Sequence, residues 1–384
     1  MRSLVAALAL ILCACTFSSD SVDPEPTAQS ADDVVLQRVE SEEHTFRVVQ
    51  LLDDLSYPWA VAWLPDGRML ITERPGRLNL VDGETVQSVS GLPEIAARGQ
   101  GGLMDVALHP DYETTGWIYL TYTAPGDGGN GTVLARAKLD GTTLTQMETL
   151  YEQTPFVGSG RHFGSRIVFG GDGTLFFGIG DRGQRDPAQD PTNSIGNIFR
   201  LNLDGSIPED NPFVGQDGYR PEIYAYGVRN PQGMARHPET GQLWEHEHGP
   251  HGGDELNLIE AGNNYGWPAI TYGDEYSDQS PIGGTEAPGM EQPVTYWDPS
   301  IAPSGMTFYT GDKFPNWQNQ ILLGALAHQH IRRVALDGTE VTHQEELLRG
   351  ELGRIRDVRT GPDGYVYVLT DASNGGLYRL EPVE

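Results

Sequence analysis

Beyond residue 15 the chain contains no cysteine. The body of the protein therefore forms no disulfide, and no thiolate serves there as nucleophile or metal ligand. Basic residues are scarce, 25 Lys and Arg against 54 Asp and Glu, for a net charge of −29. That balance argues against nucleic acid and anionic membrane surfaces as partners. After the N-terminus no apolar run approaches the roughly 18 residues that would span a bilayer, and apolar spacing of helical period is nearly absent. Glycine (48) and proline (26) are abundant in the 384 residues, so turns must recur throughout.

The N-terminus reads Met1-Arg2-Ser3, an apolar run from Leu4 to Leu12, then Cys13-Ala14-Cys15. One early positive charge, a short apolar region and a small residue before the cut are the marks of a secretory signal peptide, here residues 1–15. Leu12-Cys13-Ala14-Cys15 is similar to a bacterial lipobox with Cys15 as the lipid anchor; simple cleavage is the alternative. Either route puts the protein outside the cytoplasm of a bacterium, in the periplasm or anchored to a membrane. Residues 16–43 are acidic and lack periodicity, and read as a disordered tether. A single domain, 44–384, follows.

Within that domain one phrase recurs six times: an apolar pair, a turn built on Pro/Gly-Asp-Gly or a looser version of it, then a β-rich run. The copies begin at Ala60, Leu103, Ser165, Gly233, Ser304 and Arg356. Each is a hairpin signal, and a third strand often follows, as in Arg77-LNLVDG and Ile198-FRLNLDG. Small antiparallel sheets of this kind cannot close a core alone. Stacking them radially does so and hides their edges. The expectation is an all-β, six-bladed β-propeller of four-stranded antiparallel blades. The segment from His44 has no repeat of its own and is expected to complete the last blade. A pair of β-sandwiches is the other all-β option, but it does not explain six copies of one phrase. Insertions at Arg182–Asn197, Ile207–Tyr219 and Tyr272–Trp297 are expected to wall a cleft.

Polar residues stand at the same place, just ahead of the phrase, in repeat after repeat. Gln100 precedes the second, His162 the third, Arg229 and Asn230 the fourth, Ser300 the fifth, and Arg354 with Arg356 opens the sixth. That regularity points to one shared central site. The hairpin of the third phrase returns Asp181 toward His162. A carboxylate beside an imidazole fixes its tautomer and raises its basicity, although a loop histidine and a turn aspartate have the same spacing. Arg354 and Arg356, two apart in a strand, point the same way and make a fork for carboxylates, although surface arginines share that pattern. Gly249-Pro250 is a turn able to aim carbonyl oxygens at a hard cation. His246, His248 and His251 beside it are weak evidence for zinc.

Taken together, GQGGLMDVALHPDY, GRHFGSRIVFGGDGTLFFGIGDRG, YGVRNPQGMA, EHGPHGGDELNLIEAGNNYGWP, DPSIAPSGM and GRIRDV resemble the soluble sugar dehydrogenases that depend on pyrroloquinoline quinone (PQQ). These are the aldose sugar dehydrogenase and soluble glucose dehydrogenase type. The resemblance covers Tyr57 to Pro382. It implies a six-bladed propeller that oxidises an aldose at C1 to the lactone and passes electrons on to an unidentified acceptor. It further implies that His162 is the general base, Asp181 its orienting partner and Gln100 a substrate-side residue. Arg229, Asn230, Ser300, Arg354 and Arg356 would contact PQQ. The carbonyls of Gly249 and Pro250 would bind the Ca²⁺ that bridges to it, and Glu255 with the Tyr265 carbonyl would hold a second, structural Ca²⁺. Two features depart from the glucose-oxidising branch. The run Gly324-ALAHQH lacks a cofactor-contacting lysine, and Arg161 stands where an acidic residue would bind sugar. A non-catalytic, surface-anchored propeller binding glycan or protein, and a Ca²⁺-dependent lactonase, are the competing readings.

Overall fold

A computed structural model of the chain describes residues 33–383. The expected signal peptide, 1–15, with Cys15, and residues 16–32 of the expected tether lie outside the described residues. Each of the six phrases supplies an inner strand: Pro58–Trp63, Leu103–Leu108, Ile167–Phe169, Pro231–Arg236, Pro303–Phe308 and Ile355–Thr360. Every inner strand pairs antiparallel with the strand after its turn and also packs on the inner strand of the next repeat. The sixth returns to the first, so the ring closes. The protein is a six-bladed β-propeller.

Local chemistry explains the hairpins. At Pro65-Asp66-Gly67 the Leu64 N–H donates to the Arg68 carbonyl at 2.7 Å and the Gly67 N–H to the Leu64 carbonyl at 2.9 Å. Gly67 has φ +90°, a conformation a side chain would resist. Packing then explains burial. Second strands such as Thr174–Ile179, Ile321–Ala325 and Val366–Thr370 are buried at every position, because a blade has another blade on each face. The outermost strand Thr85–Val89 is exposed at all but its last residue. Six apolar clusters fill the six blade interfaces among the described residues. In one, Trp59, Leu70 and Leu78 of the first blade meet Leu103, Leu120 and Val133 of the second.

The last blade departs from the expected four strands. Ile355–Thr360, Val366–Thr370 and Gly375–Pro382 come from the C-terminus, and Thr45–Leu55 pairs with the last of these, as the orphan segment from His44 was expected to do. A fifth strand, Asp33–Glu40, pairs outside it. Residues 33–40, assigned from sequence to the tether, are therefore part of the sheet. Val34, Leu36 and Val39 are half-buried; a register shift between Leu36 and Val39 brings both to the face packed on the last interface. Glu42 ties the following turn down: it accepts from Arg333 Nη2 at 3.2 Å and lies 2.6 Å from His343 Nε2. Acidic neighbours and the interrupted alternation hid this strand. The insertion expected to run through Trp297 ends earlier, because Thr295–Trp297 is the outer strand of the fourth blade. A bidentate ion pair, Arg185 to Glu275 at 2.5 and 2.8 Å, joins two of the insertions.

Candidate active site

Two kinds of segment meet at one mouth of the ring. One precedes each inner strand, and the other follows the second strand in every blade but the second. They enclose a cavity of about 250 Å³ whose lining includes Trp59, Arg74, Gln100, Phe163, Asn230, Gln232, His248, Leu326, Arg354, Arg356 and Asp371. All six blades contribute, as a shared central site requires.

His162 stands beside this cavity. Its backbone N–H donates to Gln100 Oε1 at 2.7 Å, and its neighbour Phe163 lines the wall. The ring Nδ1 lies 2.6 Å from Asp181 Oδ1. Asp181 also accepts from the Gly183 N–H at 2.6 Å and from Trp267 Nε1 at 2.8 Å. Three donors aimed at one carboxylate fix it as an ionised acceptor. Burial pushes the Asp181 carboxyl up, but the hydrogen bond and charge of His162, with Arg229, outweigh it and hold the group below the usual range. Burial is likewise the largest influence on His162 and, with Arg229 and Arg161, lowers its imidazole despite the upward pull of Asp181. The ring is thus neutral at neutral pH, with Nδ1–H toward Asp181 and Nε2 free to accept a proton.

The loop that carries His162 is held from behind. Arg182, fully buried, donates to the carbonyls of Arg161 at 3.0 Å, Ser159 at 2.7 Å and Asn130 at 3.2 Å, and to the Gln153 and Asn130 side chains. Its guanidinium stacks 3.7 Å from the Phe163 ring centroid.

The other side of the cavity is cationic. Arg354 Nη2 and Arg356 Nη2 each lie 3.2 Å from Asp371 Oδ2, and Arg74 Nη2 is 4.0 Å from Oδ1. Burial raises the Asp371 carboxyl, but Arg356, Arg74 and Arg354 together hold it low. Arg356 Nε is buried without a partner among the described residues.

The predicted residues divide between this cavity and its supports. Gln100, Asn230, Arg354 and Arg356 line it. Arg229 lies behind Asn230. It donates Nη1–H to the His248 carbonyl at 2.7 Å, faces the Trp267 ring at 5.2 Å, and borders a second, one-water-sized space of about 10 Å³. Gly249, Glu247, Glu255 and Tyr265 border that same space. Ser300 does not line the main cavity; its hydroxyl donates to both oxygens of Asp254, at 2.7 and 2.9 Å. Asp254, pushed up to about 6 by burial, accepts from the Gly249 N–H at 2.9 Å and so braces the Gly249-Pro250 turn. Both turn residues are buried, and among the described residues neither carbonyl accepts a hydrogen bond. Buried carbonyls without donors are ones a cation can satisfy.

Glu245, Glu247 and Glu255 are buried close together. Burial drives all three up, Glu247 to about 7. The three histidines do not assemble: among the described residues no group of three or more His, Cys, Asp or Glu is arranged to hold a metal. His246 is buried with both ring nitrogens unpartnered and held at about 3 by burial, and His251 is exposed. His248 lines the main cavity, its Nε2 lying 2.6 Å from the Pro303 carbonyl.

From sequence alone Arg74, Asp371 and Trp267 do not stand out as parts of the site, and His248 does so only as a weak zinc candidate, not as a cavity residue. Three of them, Arg74, His248 and Asp371, immediately follow second strands. That is a second periodic position, visible in TERPG, EHGP and VLTD, and it went unread.

Comparison with known proteins places this geometry. The chain is 46% identical over 346 residues to aldose sugar dehydrogenase YliI of Escherichia coli, covering 88% of this chain and 93% of that protein. The apo structure of the soluble aldose sugar dehydrogenase from E. coli superposes with a TM-score of 0.85 at 46% identity, covering 88% of this chain and 100% of that one. The PQQ-bound aldose sugar dehydrogenase of Streptomyces coelicolor superposes at 0.70 with 28% identity, covering 87% and 98%. The profile of the family described as glucose / sorbosone dehydrogenase matches residues 55–379, and the chain belongs to that family of sugar dehydrogenases.

Proposed function

We propose that the protein is a PQQ-dependent aldose dehydrogenase that acts outside the cytoplasm. The observation that carries this reading is the His162–Asp181 pair at 2.6 Å beside a cavity with a cluster of arginines on its other side. A base alone serves many reactions; a base facing a polyanion site is what oxidation of a neutral sugar by a tricarboxylate cofactor needs. The residues fit the cofactor. Arg354 and Arg356 offer charge-assisted donors, and the orphaned Arg356 Nε is a donor without an acceptor. The carbonyls of Gly249 and Pro250 are suited to Ca²⁺.

Bound there, PQQ supplies the two-electron oxidant and Ca²⁺ the Lewis acid that polarises it. The protein's part is proton transfer and placement. His162 Nε2 takes the proton of the sugar's C1 hydroxyl as the C1 hydride departs, and C1 becomes the lactone carbonyl. Asp181 stabilises the imidazolium that forms, and Trp267 and Gly183 keep Asp181 ionised and aimed. Gln100 fixes the His162 backbone. Glu255 and Tyr265 border the one-water-sized space, and the Glu255 carboxylate with the Tyr265 carbonyl are the proposed holders of a second, structural Ca²⁺.

The test is to load purified protein with PQQ and Ca²⁺ and follow reduction of a dye acceptor with a panel of aldoses. Dye reduction that requires both additions and yields lactone is expected. No reduction with any aldose overturns the reading, and lactone hydrolysis without PQQ would replace it with the hydrolase alternative.

A further inference from the structure

We infer that Arg74 is a third guanidinium of the cofactor site and binds a cofactor carboxylate directly. This rests on the PQQ reading above and adds a residue to it. Arg74 comes from the first blade, immediately after its second strand Met69–Glu73, and lines the same cavity as Arg354 and Arg356 of the sixth.

Its backbone is fixed on both sides. Its N–H donates to the Tyr57 carbonyl at 3.0 Å, and its carbonyl accepts from the Leu103 N–H at 3.2 Å. Gly102 passes so close that a Cβ there would sit 1.8 Å from the Arg74 carbonyl oxygen. The side chain is half pinned as well. The guanidinium lies 4.5 Å over the Tyr57 ring, and Nη1–H donates to the Gly99 carbonyl at 2.9 Å. Nη2 makes no hydrogen bond among the described residues, since its 4.0 Å approach to Asp371 is too long for one.

Charge balance makes the argument. Among the described residues Asp371 is the one carboxylate lining the cavity, and it faces three guanidiniums, those of Arg354, Arg356 and Arg74. Two positive charges are left over beside a half-enclosed space, where like charges repel more strongly than in water. A ligand bearing several carboxylates relieves that repulsion, and the free Nη2 of Arg74 is a donor already oriented for one of them. Through Gly99 the same residue braces the loop that carries Gln100, which in turn holds His162.

The experiment is a direct titration of PQQ into Ca²⁺-loaded protein, followed by quenching of protein fluorescence, for wild type and Arg74→Gln. A charge-assisted hydrogen bond of ordinary strength predicts that Kd rises about 10- to 100-fold in the variant. The melting temperature without PQQ should fall by no more than a few degrees, for the lost Gly99 hydrogen bond and Tyr57 contact, and dye reduction should recover as PQQ is raised to saturation. If Arg74→Gln does not fold, Arg74→Met, which keeps an unbranched stem without the guanidinium, is titrated instead. Wild-type affinity in the folded variant would overturn the inference and leave Arg74 as a loop brace. No PQQ binding by wild type would instead overturn the functional reading, and the inference with it.

Discussion

Replacing Asp181 with Asn removes one charge and leaves the shape, so its consequences can be worked from the contacts. The carboxylate accepts from three donors: His162 Nδ1 and the Gly183 N–H on Oδ1, and Trp267 Nε1 on Oδ2. An amide has one acceptor oxygen and one NH₂. If the oxygen keeps the first pair, the NH₂ confronts the indole N–H at 2.8 Å, donor against donor. If the amide flips, the NH₂ faces Nδ1 and forces the proton onto Nε2, which abolishes the base. The first arrangement costs the unpaired donors about 1–3 kcal/mol and also removes the charge that stabilises the imidazolium. The second removes the base from the reaction. Both lower kcat, by roughly 10²- to 10⁴-fold.

The pH profile adds a signed test. His162 must be neutral to accept the proton, so activity falls as pH drops through its pKa. Burial, the dominant influence, puts that pKa below 6.5, and the acid limb of kcat/KM in wild type should lie below 6.5. Asp181 pulls the pKa up, so its removal moves the acid limb to lower pH still. The assay is stopped-flow dye reduction at saturating PQQ and Ca²⁺ from pH 4.5 to 8, with the Kd for PQQ measured separately. A variant that keeps more than half of the wild-type kcat, or an acid limb that moves upward, refutes the proposed roles.

Other predictions are more local. Ser300→Ala leaves the buried Asp254 short of its hydroxyl donor and should cost about 1–3 kcal/mol of stability in thermal melts; the Kd for PQQ should change by less than about 3-fold, since Ser300 acts through Asp254. A chain shortened to begin at His44 loses the fifth strand of the last blade, whose apolar residues are only half-buried. It should stay folded and active with a melting temperature a few degrees lower, whereas a chain beginning at Ser56 loses Thr45–Leu55 and the closure of the ring and should not fold. Removing Ca²⁺ with a chelator should abolish dye reduction and release PQQ to the filtrate, and added Ca²⁺ should restore both. Retained PQQ would show that the turn at Gly249-Pro250 does not bridge to it.

The ring was legible because its signal is repetitive. Six copies of a hairpin phrase specify six inner strands, and a single orphan strand at the start has one place to go. The His162–Asp181 pair was legible for a similar reason: a hairpin returns Asp181 to His162 by construction. Residues 33–40 were not, because a half-buried edge strand needs only three apolar side chains, and a bulge breaks even their alternation. Ser300 was assigned to the cavity by its place in the repeat. Its short side chain instead finds Asp254, and only the packing of the 298–302 loop decides between those partners.

Arg74 and Asp371 show what reading one periodic position leaves out. A blade presents two segments to the mouth, one before its first strand and one after its second. Five of the six blades use the second: Arg74, Asp181, His248, Leu326 and Asp371 each follow within two residues of the second strand. In the second blade, the second and third strands Trp117–Gly126 and Gly129–Asp140 instead run on as a long hairpin, so that position carries no site residue. The two carboxylates of the mouth therefore come from the same structural position in different blades, with Asp181 held to His162 and Asp371 gathering three arginines. Asp181 holds His162 from the segment ahead of an inner strand, and Asp371 holds Arg354 and Arg356 from the start of another, while Arg74 reaches Asp371 from the position after the second strand of the first blade. Substitutions at one pair should consequently alter proton transfer with little effect on cofactor affinity, and at the other the reverse. That separation is what the Asp181→Asn and Arg74→Gln measurements together examine. A variant at either pair that shifts kcat and the Kd for PQQ by equal factors would show that the two halves of the mouth work as one unit.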